Sequence, residues 1–334
     1  MSNLDPNPAE VDVGVNPGSI ADAVEVLTPR EVPLGGPRAM LVRRTLPQRS
    51  RSLIGAWCFA DHYGPHDVGN TTGMDVPPHP HTGLQTVSWL FSGEVEHRDS
   101  AGVHAMVRPG ELNLMTAGAG ICHSEVSTAA TSTLHGVQLW VALPDADRDT
   151  DRGFDHYVPT PVARGGSVLR VFLGALDGVS SPVATFSPLL GAQLDLAARA
   201  TLALEVDPSF EHGVLVDRGD IEVDGTALQS AELSYRAAGP SILDIRNTGD
   251  RPARVLVLGG TPFTEELLMW WNFVGRSHDD IATYREQWQN HDARFGEVTG
   301  YQPAAQGVPR RLAAPPLPTT RLRPRPHPGA KDSQ

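Results

Sequence analysis

Two short pairs of potential metal ligands, His79-x-His81 and His123-x-Glu125, give this sequence its clearest chemical signal. Side chains on a β-strand alternate between its two faces, so the members of each pair point the same way if each pair lies on a strand. Two neighbouring strands could then aim three imidazoles and one carboxylate at one point. Imidazole nitrogens with one hard oxygen ligand suit a divalent transition metal such as Fe, Mn, Ni, Cu or Zn.

The residues between the two pairs support a compact β structure around them. A lone His on a strand is usually a buried, hydrogen-bonded residue, so one His-x-His pair alone would be weak evidence. Here turn-forming residues separate the pairs at short intervals, and these are Gly83, Gly93, Pro109-Gly110 and the run 115–120. Pro80 has no N–H to donate, which favours a strand start or edge. The pattern predicts a metal site in a small barrel of short strands.

Length and composition indicate a two-domain, all-β protein. The chain has 334 residues, with 40% hydrophobic residues, 33 Gly and 29 Pro. This is enough for two cores of ordinary size connected by many turns. The formal net charge of −12 argues against sequence-independent binding to nucleic acid.

The expected compartment is the cytoplasm. The chain contains only two cysteines, Cys58 and Cys122, which makes a disulfide framework improbable and fits a reducing environment. No apolar run reaches the length of a membrane span, and the first residues lack the basic-then-apolar order of a secretory signal. We therefore expect a cytoplasmic monomer that has no contact with a membrane.

Strand patterns continue through the second half of the chain, but without potential ligand pairs. The clearest alternating strand is 135–143, which should be buried on at least one face. Similarity between 90–95 and 216–223 suggests an internal duplication, so we expect a second barrel without a metal. Its strand-like runs are Val168–Leu173, Ala192–Leu196, Leu202–Val206, Gly213–Asp217, Ile221–Val223, Ser241–Ile245 and Arg254–Leu258.

Several other titratable residues have two open interpretations. Asp61, His62 and His66 could lie near the metal or on a plain surface loop. His97 is interpreted as a surface residue on an exposed strand rather than as a ligand. Cys122 directly precedes His123, so it should point away from the metal and act as a packed thiol.

The pattern changes to a helical one near the end of the chain. Thr264 could cap a short helix, and Ser277 with Asp280 forms a capping-box pair before Ile281, Tyr284 and Trp288 at helical spacing. The tryptophans here are expected to pack against a barrel. Beyond about residue 302 the chain is rich in Pro and Arg, a composition typical of disorder.

Four segments resemble the pirin family of the cupin superfamily: 79–87, 93–100, 115–125 and 135–141. The resemblance covers roughly 30–300 and is stronger in the first half. It implies a bicupin with an Fe site in the N-terminal barrel, held by His79, His81, His123 and Glu125. One departure is Gln85, where the family usually has Glu; the ligand set is unaffected, although the surroundings of the metal change.

Together with the sequence patterns, the resemblance predicts two tandem cupin (jelly-roll) β-barrels followed by a helical segment that packs back on the body. We expect five segments: a mobile arm over 1–28, a metal-binding barrel over 29–150, a metal-free barrel over 151–262, the helical segment over 263–300 and a disordered tail over 301–334.

The resemblance implies two functions of different classes. The first is oxygen-dependent ring cleavage of the quercetin 2,3-dioxygenase type. Fe2+ would lower the pKa of the hydroxyl of a flavonol-like substrate, and Glu125, a ligand and proton acceptor, would take its proton. The second is an Fe-dependent, redox-sensitive regulator that binds a transcription factor or a metabolic enzyme. A third reading, from metal chemistry alone, is a structural Zn site closed by the same four ligands.

Overall fold

The computed structural model describes residues 24–34, 40–69, 71, 73–303 and 306–324. The strands form two similar pairs of antiparallel sheets, which confirms the all-β, two-barrel prediction. The predicted arm over 1–28 lies mostly outside the described residues. Its last part forms a short strand, and Leu27 there is buried against the second barrel.

The first half of the chain contains twelve described strands, and these are β1 (Glu25–Leu27), β2 (Arg30–Leu34), β3 (Met40–Leu46), β4 (Trp57–Asp67), β5 (Asp75–His81), β6 (Leu84–Ser92), β7 (Val95–Asp99), β8 (His104–Val107), β9 (Leu112–Thr116), β10 (Ile121–Ser127), β11 (Thr133–Ala142) and β12 (Gly153–Tyr157). All except β1 form the first barrel, which consists of a seven-stranded sheet, in the order β12-β9-β6-β11-β4-β3-β2, and a four-stranded sheet, in the order β5-β10-β7-β8. Pro80 lies on β5, an edge strand of the smaller sheet, as its missing N–H predicts.

The strands of the second half of the chain are β13 (Val162–Arg164), β14 (Ser167–Leu173), β15 (Ala175–Leu176), β16 (Val179–Ser180), β17 (Leu189–Leu196), β18 (Thr201–Glu205), β19 (Glu211–Arg218), β20 (Ile221–Val223), β21 (Thr226–Leu228), β22 (Leu233–Tyr235), β23 (Ile242–Asn247) and β24 (Ala253–Gly260). The second barrel repeats the plan of the first with sheets in the orders β1-β22-β19-β24-β17-β14-β13 and β18-β23-β20-β21. Its core is formed by Leu, Val, Ile and Ala side chains from both sheets.

A hairpin and one helix follow the second barrel and pack back on the first. The hairpin pairs β25 (Leu268–Trp270) with β26 (Phe273–Gly275), and the helix α1 spans His278–Gln289. Ser277 and Asp280 form the predicted capping box. The short helix predicted after Thr264 is wrong: within the described residues this stretch leads into the hairpin instead.

The predicted disorder of the tail is wrong for residues 306–324, whereas 304–305 and 325–334 lie outside the described residues. Leu312, Ala314 and Leu322 are buried. The N–H of Leu312 donates to the carbonyl of Pro78 at 2.9 Å, and the indole of Trp288 donates to the carbonyl of Leu312 at 2.8 Å. This segment therefore joins the helix to the strand that carries the first histidine pair.

A shared hydrophobic core holds the two barrels together. The indole N–H of Trp57 lies 3.0 Å from the carbonyl oxygen of Leu190 and 3.2 Å from that of Gly259. Gly55 has a φ of +51°, and a Cβ there would come within 2.6 Å of the Cα of Gly260, so backbone meets backbone at this point. Such close contact fixes the position of β4 relative to β17 and β24.

Candidate metal centre

Strand pairing brings the two predicted ligand pairs together. Strands β5 and β10 are antiparallel, and His79 lies directly opposite His123. Because alternate residues share a face, His81 joins His79, and Glu125 lies on the face of His123. All four side chains are buried in the first barrel. The sequence-based expectation that the pairs face each other across neighbouring strands is therefore met.

The three imidazoles are close enough to share one ion. Ring centroids are 4.3 Å apart for His79 and His123, 5.0 Å for His81 and His123, and 5.1 Å for His79 and His81. One ligand nitrogen from each ring lies within 4.8 Å of the other two. Such a cluster can hold a divalent transition metal, to which neutral imidazole is well suited.

Backbone carbonyls orient two of these rings. Nδ1 of His79 donates to the carbonyl of Pro77 at 2.9 Å, and Nδ1 of His81 donates to the carbonyl of Asn272 at 3.1 Å. These bonds place the ring protons on Nδ1 and leave the Nε2 lone pairs facing inward, which is the usual arrangement of metal-ligating histidines.

The inward nitrogens face one another instead of other hydrogen-bonding groups of the barrel. Nε2 of His79 is buried and has no hydrogen-bond partner among the described residues. Nε2 of His81 and Nε2 of His123 are only 3.1 Å apart. Once the outward nitrogens carry the protons, these are two facing lone pairs, which a cation would stabilise. The donor set therefore fits a metal ion.

A buried His–Asp pair supports the third ring, and the interpretation of His97 as a surface residue is wrong. His97 lies on β7 opposite Glu125, with its Nδ1 3.4 Å from Nδ1 of His123. Its Nε2 lies 3.1 Å from Oδ2 of Asp99. One consistent proton arrangement has His97 donating to Asp99 and accepting from His123. Nε2 of His123 is then free of a proton, as ligation requires.

Burial keeps the three candidate ligands in the neutral form. Loss of solvation lowers the pKa of His79, His81 and His123 well below the ordinary value, and the neighbouring imidazoles lower that of His123 further. A neutral imidazole is the form that binds metal. The three rings are therefore in the protonation state that metal binding requires.

Glu125 lies in the same barrel, but outside the group of mutually close donor atoms, which contains only the three imidazoles. Its Oε1 lies 3.2 Å from the hydroxyl oxygen of Ser88. The same hydroxyl lies 3.0 Å from Oε1 of Gln138. The carboxylate is therefore buried beside a polar pair from the facing sheet.

Other singled-out residues occupy different places. The amide of Gln85, on β6, donates to the hydroxyl of Thr116 on the neighbouring strand β9 at 2.9 Å. This hydrogen bond fixes the orientation of the Gln85 side chain. Cys122 is a packed thiol as predicted, and burial raises its pKa to about 12.

The surface-loop interpretation of Asp61 and His62 is wrong, because both residues lie buried on β4. Asp61 pairs with Arg44 through both carboxylate oxygens, at 2.7 and 2.8 Å. His62 contacts Asp217 of the second barrel at 2.8 Å. His66 contacts the carbonyl of Leu41 at 3.0 Å.

Sequence reasoning also missed the turn of the final hairpin. Trp271 has a φ of 53°, which is uncommon for a bulky residue. The carbonyl of the next residue, Asn272, accepts the hydrogen bond from Nδ1 of His81. Positive φ at a tryptophan carries no sequence signal, so only the fold shows this contact.

Among the described residues, no helix is both long and apolar enough to cross a membrane.

Two jelly-roll barrels, the first with a buried histidine cluster, define a bicupin protein with a candidate metal centre. A family model described as Pirin matches residues 39–141, and a model described as Pirin C-terminal cupin domain matches residues 191–296. A Pseudomonas aeruginosa protein named "Putative quercetin 2,3-dioxygenase" is 44% identical over 293 residues, which cover 87% of this chain and 90% of that protein. The chain belongs to the pirin family.

Further relatives agree with this assignment. A Caulobacter vibrioides protein named "Pirin-like protein" is 35% identical over 74% of this chain and 88% of its own length. A crystal structure described as quercetin 2,3-dioxygenase from Acinetobacter baumannii superposes with a TM-score of 0.83 at 39% identity, covering 90% of this chain and 97% of that one.

Proposed function

We propose that the protein is a metal-dependent dioxygenase that cleaves a flavonol-like substrate in the manner of quercetin 2,3-dioxygenase. In this proposal Fe2+ is held by His79, His81, His123 and Glu125. The observation that carries it is the convergence of three buried imidazoles, which offer one nitrogen each within 4.8 Å of the other two. Two of these rings are fixed by backbone carbonyls. Similarity to proteins named for that activity supports the reaction class. The cytoplasmic location and the monomeric state stay predictions from the sequence.

The bound metal would supply Lewis acidity, which lowers the pKa of a flavonol 3-hydroxyl, and a redox partner for dioxygen. The chain provides the environment for this chemistry. Neutral imidazoles leave the positive charge of the ion undiminished, and the carboxylate of Glu125 offsets part of it. Because all four side chains are buried, bulk water does not screen these charges.

Glu125 is proposed to accept the proton of the 3-hydroxyl. The hydroxyl of Ser88 has one proton and lies near two acceptors, Oε1 of Glu125 and Oε1 of Gln138. While Glu125 is ionised, Ser88 can donate to it. After Glu125 takes up a proton, its O–H can donate to Ser88, whose own proton then turns to Gln138. The trio can therefore satisfy both protonation states of the base.

The test is an aerobic assay of protein loaded with one Fe2+ per chain. We expect loss of the flavonol absorption band of quercetin together with release of CO. His79→Ala should lose both the metal and turnover while the fold, followed by circular dichroism, survives.

A protein that holds Fe2+ fully but leaves quercetin intact and releases no CO would refute the dioxygenase proposal. That result would favour the regulator hypothesis, and pull-downs with the Fe(II) and Fe(III) forms would then test it. Identical sets of captured partners would count against that hypothesis as well.

A further inference from the structure

A second cluster of potential ligands lies where the two barrels meet. His62 is on β4 and His135 on β11 of the first barrel, and Asp217 is on β19 of the second. One donor atom from each residue lies within 4.8 Å of the other two. The pairing of β4 with β11 brings the two histidines together, and the docking of the second barrel adds Asp217.

Irregularities in two strands aim these side chains at one another. The pairing of β11 with β4 shifts between Leu134 and Gly136, where His135 alone lies opposite Gly64 and Pro65 of β4. The pairing of β19 with β24 shifts between Val216 and Arg218, which makes Asp217 the extra residue of a bulge in β19. Bulges redirect a side chain from its regular face and are frequent beside functional sites.

The donor atoms form a compact triangle. Oδ1 of Asp217 lies 2.8 Å from Nε2 of His62 and 2.6 Å from Nε2 of His135. The two Nε2 atoms are 3.4 Å apart. In a tetrahedral zinc site, Zn–N bonds of about 2.0–2.1 Å place two nitrogens about 3.3–3.4 Å apart. The imidazoles already have this separation, and the carboxylate oxygen would withdraw by about 0.5 Å to complete it.

The surroundings orient the carboxylate and leave one entry side. Nη1 of Arg254 lies 3.6 Å from Oδ2 of Asp217, the oxygen that does not face the imidazoles. The ring of Phe91 lies 4.9 Å from that of His135, and the guanidinium of Arg254 lies over Phe91. The side chains of His62 and Asp217 are 1% exposed, whereas His135 is 12% exposed. An ion could therefore reach the triangle past His135.

We propose that His62, His135 and Asp217 form a second divalent-metal site, selective for Zn2+ or a similar borderline metal, that ties the two barrels together. Two histidines and one carboxylate suit such an ion, and hard cations such as Mg2+ prefer oxygen ligands. The metal would bridge β4 and β11 of one barrel to β19 of the other, so its binding energy adds to the stability of their docking.

The second site should bind more weakly than the first centre. Nδ1 of His62 is buried without a hydrogen-bond partner among the described residues, whereas Nδ1 of His79 and of His81 is held by a carbonyl. Loss of such a supporting bond costs about 10- to 100-fold in metal affinity. The guanidinium of Arg254 also opposes a second cation.

The experiment removes the first centre and measures how many ions the protein still binds. The double variant His79→Ala/His123→Ala is titrated with Zn2+, and with Co2+ as a spectroscopic probe. We expect one ion per chain, the intense visible bands of tetrahedral Co2+, and a higher thermal midpoint with Zn2+. Asp217→Asn and, separately, His135→Gln in the same background should lose all three signals. Binding is measured without any turnover, so the result does not depend on the proposed dioxygenase activity.

Without a metal, the same triangle is a pair of imidazole N–H groups donating to one carboxylate oxygen. If the double variant folds and binds no ion, that simpler arrangement is the correct one and the proposal falls. It also falls if an ion binds but neither Asp217→Asn nor His135→Gln removes it. Circular dichroism of each variant establishes that it is folded, and His135→Gln, at the more exposed position, covers the case in which Asp217→Asn fails to fold.

Discussion

Replacing Asp99 by Asn should weaken metal binding at the first centre although Asp99 is not a ligand. Oδ1 of Asp99 accepts the N–H groups of Ala101 at 2.8 Å and Val103 at 3.0 Å, and an Asn oxygen can keep both bonds. The Asn NH2 group then faces Nε2 of His97, which must become an acceptor. The proton of His97 moves to Nδ1, where it meets the Nδ1–H of His123.

The cost follows from this conflict. His123 must either lose its supporting bond or carry its proton on Nε2, and the second choice blocks ligation. Loss of a supporting partner costs about 10- to 100-fold in metal affinity. The Nδ1–Nδ1 distance of 3.4 Å is long for a hydrogen bond. We therefore expect the lower end of this range, a loss of about 10-fold in metal affinity, which corresponds to about 1.4 kcal/mol of binding free energy.

The assay is competition with a chromophoric chelator for Ni2+ or Zn2+, in a His135→Gln background that removes the proposed second site. Glu96→Gln is the matched control. Glu96 lies on the same strand as Asp99, but pairs with Arg98 and His104 on the outer side. The Glu96→Gln variant should bind the metal with the same affinity as the parent protein. An Asp99→Asn protein that binds metal as tightly as its parent would refute the proposed support of His123 by His97.

Three further predictions concern the base, the pH and the tail. Glu125→Gln, measured as kcat per bound Fe, should lose about 100-fold or more because it cannot accept a proton; a near-normal kcat would exclude that role. The urea midpoint of the metal-free protein should fall as the pH drops below about 6.5, because His79, His81 and His123 have lowered pKa values when folded and take up protons on unfolding. A midpoint equal at pH about 7.5 and about 5.5 would contradict this linkage. Leu312→Ala should cost about 2 kcal/mol in urea unfolding by removing a buried side chain from the tail, whereas no loss would mean that the tail is not packed in solution.

The sequence predicted those parts of the site that depend on local periodicity. Alternation along a strand is enough to place His79 with His81, and His123 with Glu125. Pro80 then restricts the first pair to an edge, and β5 is an edge strand. The capping box at Ser277 is equally local, since its two partners are three residues apart.

The supporting residues depend on which strands are neighbours, and a single sequence does not contain that information. Alternation pairs His97 with Val95 and Asp99, but it does not say whether that face looks inward. Only the position of β7 next to β10 places His97 opposite Glu125. The carbonyl of Asn272, which orients His81, comes from an even more distant part of the chain.

The tail was predicted to be disordered from its composition, but composition does not show which of its residues make contacts. Pro and Arg dominate the segment, yet Leu312 is buried and its N–H bonds the carbonyl of Pro78. Arg311 lies over the ring of Trp288. These few contacts hold the segment in place although its apolar residues have no regular spacing. A prediction based on composition alone detects the polar character of the segment and misses the contacts.

The most direct test of the first centre is anomalous X-ray scattering from crystals of the Fe2+-loaded protein. We expect an iron peak about 2.0–2.2 Å from Nε2 of His79, His81 and His123, with a carboxylate oxygen of Glu125 at a similar distance. Iron located elsewhere, or none at this cluster while the three rings keep their positions, would contradict it.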